Sequence, residues 1–135
     1  MAFSVLLNWY SMQSPARKQF LLYAMVCLYV VAGISHFVHP QAFMSIMPPW
    51  LPWPAMLVLV SGICEVGFGL LLLPVATRRV GAWLIIALLV AVFPANVQMA
   101  VNYAHAQSPY LWIALLRLPL QGVLVWWAWQ YTKRA

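Results

Sequence analysis

The sequence predicts an all-α membrane protein: an antiparallel bundle of four transmembrane helices, with both termini cytoplasmic and a short interfacial segment at the N-terminus. Three observations carry this reading. The first is composition. Of 135 residues, 66% are hydrophobic and 6% charged, and the mean hydropathy is +0.90. Soluble domains carry about 25% charged residues and about 45–50% apolar ones, and so short a chain cannot hide the excess from water. The same excess excludes disorder. The second is that four apolar stretches reach the roughly 20 residues needed to cross a bilayer. The third is where the charges fall. Arg17 and Lys18 precede the first stretch, Arg78 and Arg79 separate the second from the third, and Lys133 and Arg134 follow the fourth. An even number of crossings puts all six on one side, which the positive-inside rule makes the cytoplasm. A three-helix or five-helix count spoils this segregation.

In chain order, the expected helices run from about Phe20 to His39, Ala55 to Leu73, Val80 to Val101 and Tyr110 to Tyr131, within a single domain over 1–135. Short connections at 40–54, 75–79 and 102–109 favour neighbouring helices packed side by side. Residues 1–13 are too short to span and are expected along the interface. The first helix reads as uncleaved, because its apolar run exceeds a signal core and no small-x-small site follows. Trp50, Trp53 and Trp112 flank the outer ends, and Trp9, Trp83, Trp126, Trp127 and Trp129 lie near the inner ones. Such placement suits interfacial anchoring, since indole offers an apolar body and one donor. Ligand stacking is the alternative for Trp50 and Trp53. The net charge of +6 thus reflects topology, and nucleic acid is not an expected partner.

Two charges remain inside the helices. Glu65 is the only acidic residue, and Arg117 the only basic one outside the inner segments. An ionisable group at bilayer depth costs at least about 2.5–3.5 kcal/mol and normally faces a partner or a wet cavity. At 1.5 Å per residue Glu65 lies about 15 Å, and Arg117 about 10 Å, below the outer surface. A Glu65–Arg117 ion pair, direct or bridged by water, is therefore expected. Other polar groups gather at similar depth. His36 shares a face with Tyr29 and Gly33, Ser61 lies at i−4 from Glu65, and Gln121 at i+4 from Arg117. Asn96, Gln98 and Asn102 mark the outer end of the third helix. Each helix so contributes to an outer-half polar pocket, open outward. Its candidate catalytic residues are Glu65 and Arg117, and its candidate ligand-binding residues are His36, Ser61, Asn96, Gln121 and Trp50. A Glu–Arg pair that merely locks the helices in register is the competing reading.

Pro94 and Pro119 fall inside helices and free the carbonyls of Val90 and Leu115. Gly62, Gly67 and Gly69 around Glu65 suit close helix packing. The stiff stretch Pro48–Pro54 is a candidate cap on the outer end. Cys27 and Cys64 form no CxxC pair and read as packing residues. His36, His39 and His105 match no metal spacing, and no metal site is assigned.

These residues also carry a family resemblance. Gly33-Ile34-Ser35-His36-Phe37 with Pro40 and Phe43, Ile46-Met47-Pro48-Pro49-Trp50-Leu51-Pro52, Ser61-Gly62-Ile63-Cys64-Glu65 with Gly69, Ala91-Val92-Phe93-Pro94-Ala95-Asn96 with Met99, and Arg117-Leu118-Pro119-Leu120-Gln121 together make the chain similar to the DoxX-like (DoxX/DoxD superfamily) small membrane proteins, from about Phe20 to Tyr131. The resemblance implies a four-helix bundle in the inner (plasma) membrane of a prokaryote. Some relatives are linked to thiosulfate or quinone redox chemistry. No redox cofactor motif accompanies it here. The leading expectation is therefore a protein that binds a lipophilic or quinone-like molecule within a redox-linked membrane complex, with a quinone as the candidate cofactor. The alternatives are an acid/base isomerase of a membrane-dissolved substrate and a non-catalytic scaffold subunit. The expected partners are the lipid bilayer, a lipophilic small molecule, and a membrane complex or further copies of the chain.

Overall fold

The computed structural model describes residue 4 and residues 14–133. The expected interfacial segment, Trp9 within it, and Arg134 lie outside the described residues, apart from Ser4. Among the described residues five helices are delimited: α1 (Pro15–Val38), α2 (Pro40–Met44), α3 (Pro54–Leu71), α4 (Val75–His105) and α5 (Leu111–Trp129). All but α2 are long and apolar enough to cross a membrane.

Local chemistry sets the boundaries. Ser14 caps α1 by accepting from the Arg17 N–H, with Pro15 in the first turn, where its missing donor costs nothing. The helix therefore starts earlier than its apolar run. It ends before Pro40, which cannot continue the hydrogen-bond ladder and instead opens α2, within the expected 40–54 connection. Trp53, at φ 50°, turns the chain into α3 and leaves its ring exposed. The α3–α4 connection shrinks to residues 72–74, because 75–79 is helical. Thr77 and Arg78 read as loop residues but close the end of α3. The Thr77 hydroxyl donates to the Leu71 carbonyl at 2.7 Å, and Arg78 donates to Leu72 and Leu73 at 2.8 and 3.0 Å. A cation on the last carbonyls of a helix also complements its dipole. Pro94 and Pro119 lie inside continuous α4 and α5.

The helices pair as α1 with α3, α3 with α4, and α4 with α5, while α2 lies against α1 and α3. The α1–α3 crossing is made by glycine. A Cβ at Gly33 would stand 2.7 Å from the Gly62 carbonyl oxygen, and one at Gly62 would stand 2.8 Å from the His36 Cβ. Gly69 receives Tyr29 in the same way, whereas Gly67 faces open space. The buried positions of α1, which include Leu22, Met25, Val26, Tyr29, Gly33 and His36, recur at three- and four-residue spacing, the mark of one inward stripe. The other faces are apolar and exposed, as lipid contact requires. Cys27 is among the exposed residues, so it does not pack in the interior; Cys64 is half-buried.

Among the described residues two apolar clusters divide the interior. The larger gathers Leu22, Met25, Tyr29, Ile85, Ala128 and Tyr131 among others. The smaller joins Met99, Ala100 and Ala114, with Ile46 and Tyr103 against them. Between α1 and α5, which stand at opposite ends of the series of pairings, no two Cα atoms approach within 8 Å.

Candidate functional site

A cavity of about 360 Å³ lies among the four long helices. This is within the ~300–1,000 Å³ typical of small-molecule sites. Its walls are mostly apolar, with Leu28, Val58, Val92 and Leu124 among them, and its polar groups come from every long helix.

The α1–α3 crossing supplies Tyr29, His36, Ser61 and Glu65. Because Gly62 admits His36 so closely, its Nδ1 comes 3.0 Å from Glu65 Oε2. The same nitrogen lies 2.8 Å from the Ala32 carbonyl oxygen. A carbonyl only accepts, so Nδ1 carries the hydrogen and aims it at Ala32. Glu65 Oε2 thus shares this nitrogen with the Ala32 carbonyl. The Tyr29 hydroxyl is buried with no partner among the described residues, on a residue only 3% exposed. The other face of His36 is covered by Phe43 of α2, stacked at 3.9 Å.

The opposite wall belongs to α4 and α5. Asn96 donates to the Gln121 side-chain oxygen, and Gln121 donates in turn to the Leu89 carbonyl, next to the Val90 carbonyl that Pro94 leaves without its usual donor. Arg117 donates from Nη1 to the Met99 sulfur at 3.2 Å. A thioether is a weak acceptor for a guanidinium that has five donors.

The sequence suggested a mouth at the end where α1 stops. In the structure Phe43, Ile46 and Met47 line the cavity there, and Asn102 donates to the Ser45 carbonyl at 3.2 Å, tying this segment across to α4. The covering elements are α2 and the residues just after it, rather than the Trp50 and Trp53 stretch.

The family model for a domain of unknown function, DUF8561, matches residues 25–132. The chain belongs to this family. The matched span contains every described residue that lines the cavity. No curated protein and no solved structure matches the chain.

Of the residues singled out from the sequence, Glu65, Arg117, His36, Ser61, Asn96 and Gln121 all line this one cavity. Trp50 does not; it is 70% exposed, as an interfacial anchor would be. A direct Glu65–Arg117 ion pair is not formed: among the described residues the side chain within ion-pairing distance of Glu65 is His36, at 3.0 Å. The physical reason is the order of pairing: glycine brings α1 onto α3, whereas α5 packs on α4, so Arg117 meets Met99 first. Asn96 and Gln121 spend much of their hydrogen-bonding capacity on each other, which makes them a clasp between α4 and α5. Replacing Gln121 with Leu is expected to cost about 1 kcal/mol, the scale of interhelical hydrogen bonds in membranes, as measured by unfolding in mixed micelles. Tyr29, which the i−7 spacing puts on the face of His36 but which was not among the expected ligand-binding residues, also lines the cavity; nothing in the pattern marks Met99 as the partner of Arg117. Among the described residues no three His, Cys, Asp or Glu side chains group to hold a metal ion.

Proposed function

We propose that the protein binds a lipophilic, quinone-like molecule in this cavity and acts within a redox-linked membrane complex. The observation that carries the binding reading is the buried Tyr29 hydroxyl, without a partner among the described residues, on the wall of a largely apolar cavity, beside the Glu65 carboxylate whose Oε2 lies 3.0 Å from His36 Nδ1. An unsatisfied buried polar group costs about 1–3 kcal/mol, and an oxygen-bearing ligand head removes that cost. Arg117 offers donors to an oxygen of the head. Glu65 accepts from a hydroxyl, so a head carrying both an acceptor and a donor satisfies the site best. The Asn96–Gln121 clasp holds the wall. The quinone-like and redox-linked parts of the proposal rest on the resemblance to DoxX-like proteins.

The proposal includes an orientation. The pairs Gly33–Gly62 and Tyr29–Gly69 fit antiparallel α1 and α3, and the larger apolar cluster joins Leu22, Leu72 and Ala128, near Lys18, Arg78 and Lys133 respectively. These ends face the cytoplasm of a bacterial inner membrane, with both termini on that side.

Tyr29→Phe tests the site without disturbing the fold, because the hydroxyl has no internal partner to lose. Its unfolding midpoint is expected to equal that of the parent, while retention of a decyl-substituted quinone during purification falls several-fold. Equal retention by Tyr29→Phe would remove the hydroxyl from the site. Failure of the parent chain to retain any such molecule would reject the reading.

A further inference from the structure

We infer that the cavity is filled sideways from the bilayer: a single-tailed amphiphile enters between α1 and α5, leaving its tail in the seam between Leu28 and Leu120. This rests on the binding reading above and adds the route and the shape of the ligand.

Three observations converge on the seam. First, it is the side of the bundle where the flanking helices lack close backbone approach. Close backbone pairing links α1 to α3, α3 to α4 and α4 to α5, yet no Cα of α1 comes within 8 Å of one of α5. Second, exposure marks the same place. Among the described residues lining the cavity, two are exposed, Leu28 at 42% and Leu120 at 48%. One belongs to α1 and the other to α5. Third, the two ends are occupied by side chains. Phe43, Ile46 and Met47 cover one end, with Asn102 fastening the cover through Ser45. The Met25–Ile85–Ala128 cluster fills the other.

Chemistry then sets the occupant. The seam is apolar on both lips, so what rests in it is hydrocarbon. The groups behind it are Tyr29, Glu65 and Arg117, so what reaches the interior is a polar head with both a donor and an acceptor oxygen. A molecule of that form partitions into the bilayer, which concentrates it where the seam opens, and water need not be crossed. A cavity of about 360 Å³ holds a ring-sized head, and the tail stays outside it.

The test uses a long-chain alkylphenol with a photoactivatable diazirine in its tail close to the ring, where the tail passes through the seam, added to the full chain in phosphatidylethanolamine/phosphatidylglycerol vesicles. Crosslinks are mapped by mass spectrometry with and without excess unlabelled alkylphenol. The expected result is competable labelling around Leu28 and Leu120. It is lost in Leu120→Trp, which fills the seam, and kept in Ile63→Trp, an equally apolar change on the exposed face of α3. Competable labelling at Phe43 or Met47 would overturn the lateral route while leaving the binding site standing. Unchanged labelling in Leu120→Trp would do the same. Labelling that no competitor reduces, spread over Ile63 and Val90 as well, would overturn both the route and the binding reading.

Discussion

Gly33→Ala is expected to lower the free energy of unfolding by about 1–3 kcal/mol, the range for forcing an extra methyl group into a well-packed contact. The added carbon would meet the Gly62 carbonyl oxygen at 2.7 Å and the Val66 amide nitrogen at 3.0 Å. Both are backbone atoms of a helix and cannot rotate away, so α1 and α3 must part. Gly62→Ala should behave alike, since its new methyl group would lie 2.8 Å from the His36 Cβ and push the imidazole off Glu65. Gly67→Ala and Gly122→Ala are the controls. A Cβ at either position meets nothing within 4 Å, so the helix keeps its packing and neither variant should lose stability. Unfolding of the four variants in the same mixed micelles checks the claim. If Gly33→Ala were as stable as Gly67→Ala, the close crossing would be absent and the His36–Glu65 approach would lose its cause.

That crossing also shows where sequence reading succeeds and stops. The spans were legible because a run of apolar residues long enough to cross a bilayer has few other uses. Their ends were less so. Ser14, Thr77 and Arg78 are polar and look like loop, yet each is polar because it satisfies a helix terminus. The five-residue α2 was too short for its periodicity to register. Depth along each helix was legible from simple counting, and it brought Glu65, His36, Asn96, Gln121 and Arg117 to one cavity. Azimuth and partner choice were not. With one acid and one leftover base in the chain, charge arithmetic selects Glu65 with Arg117. The glycines that decide the matter act through backbone distance, which a count of charges does not register.

The consequence is sharpest for Arg117. Were Arg117 the ion-pair partner of Glu65, its replacement by Met would strand a buried carboxylate and cost about 3–5 kcal/mol. In this structure Glu65 lies against His36 and Arg117 against Met99, so Arg117→Met strands nothing. It removes a cation whose insertion at bilayer depth costs about 2.5–3.5 kcal/mol, and the longer apolar side chain still packs beside Met99. The variant is therefore expected to unfold at the same denaturant concentration as the parent or at a higher one. Ligand retention should move the other way. A hydrogen bond from a charged donor is worth about 1.5–3 kcal/mol, so binding of the decyl-substituted quinone should weaken by about ten- to a hundredfold. A charge kept in the membrane at a cost to folding, and needed for binding, is the pattern of a site. A charge whose loss destabilises the protein and leaves binding untouched is the pattern of a lock. Measuring both quantities on Arg117→Met separates the two, because each reading requires a sign that the other forbids.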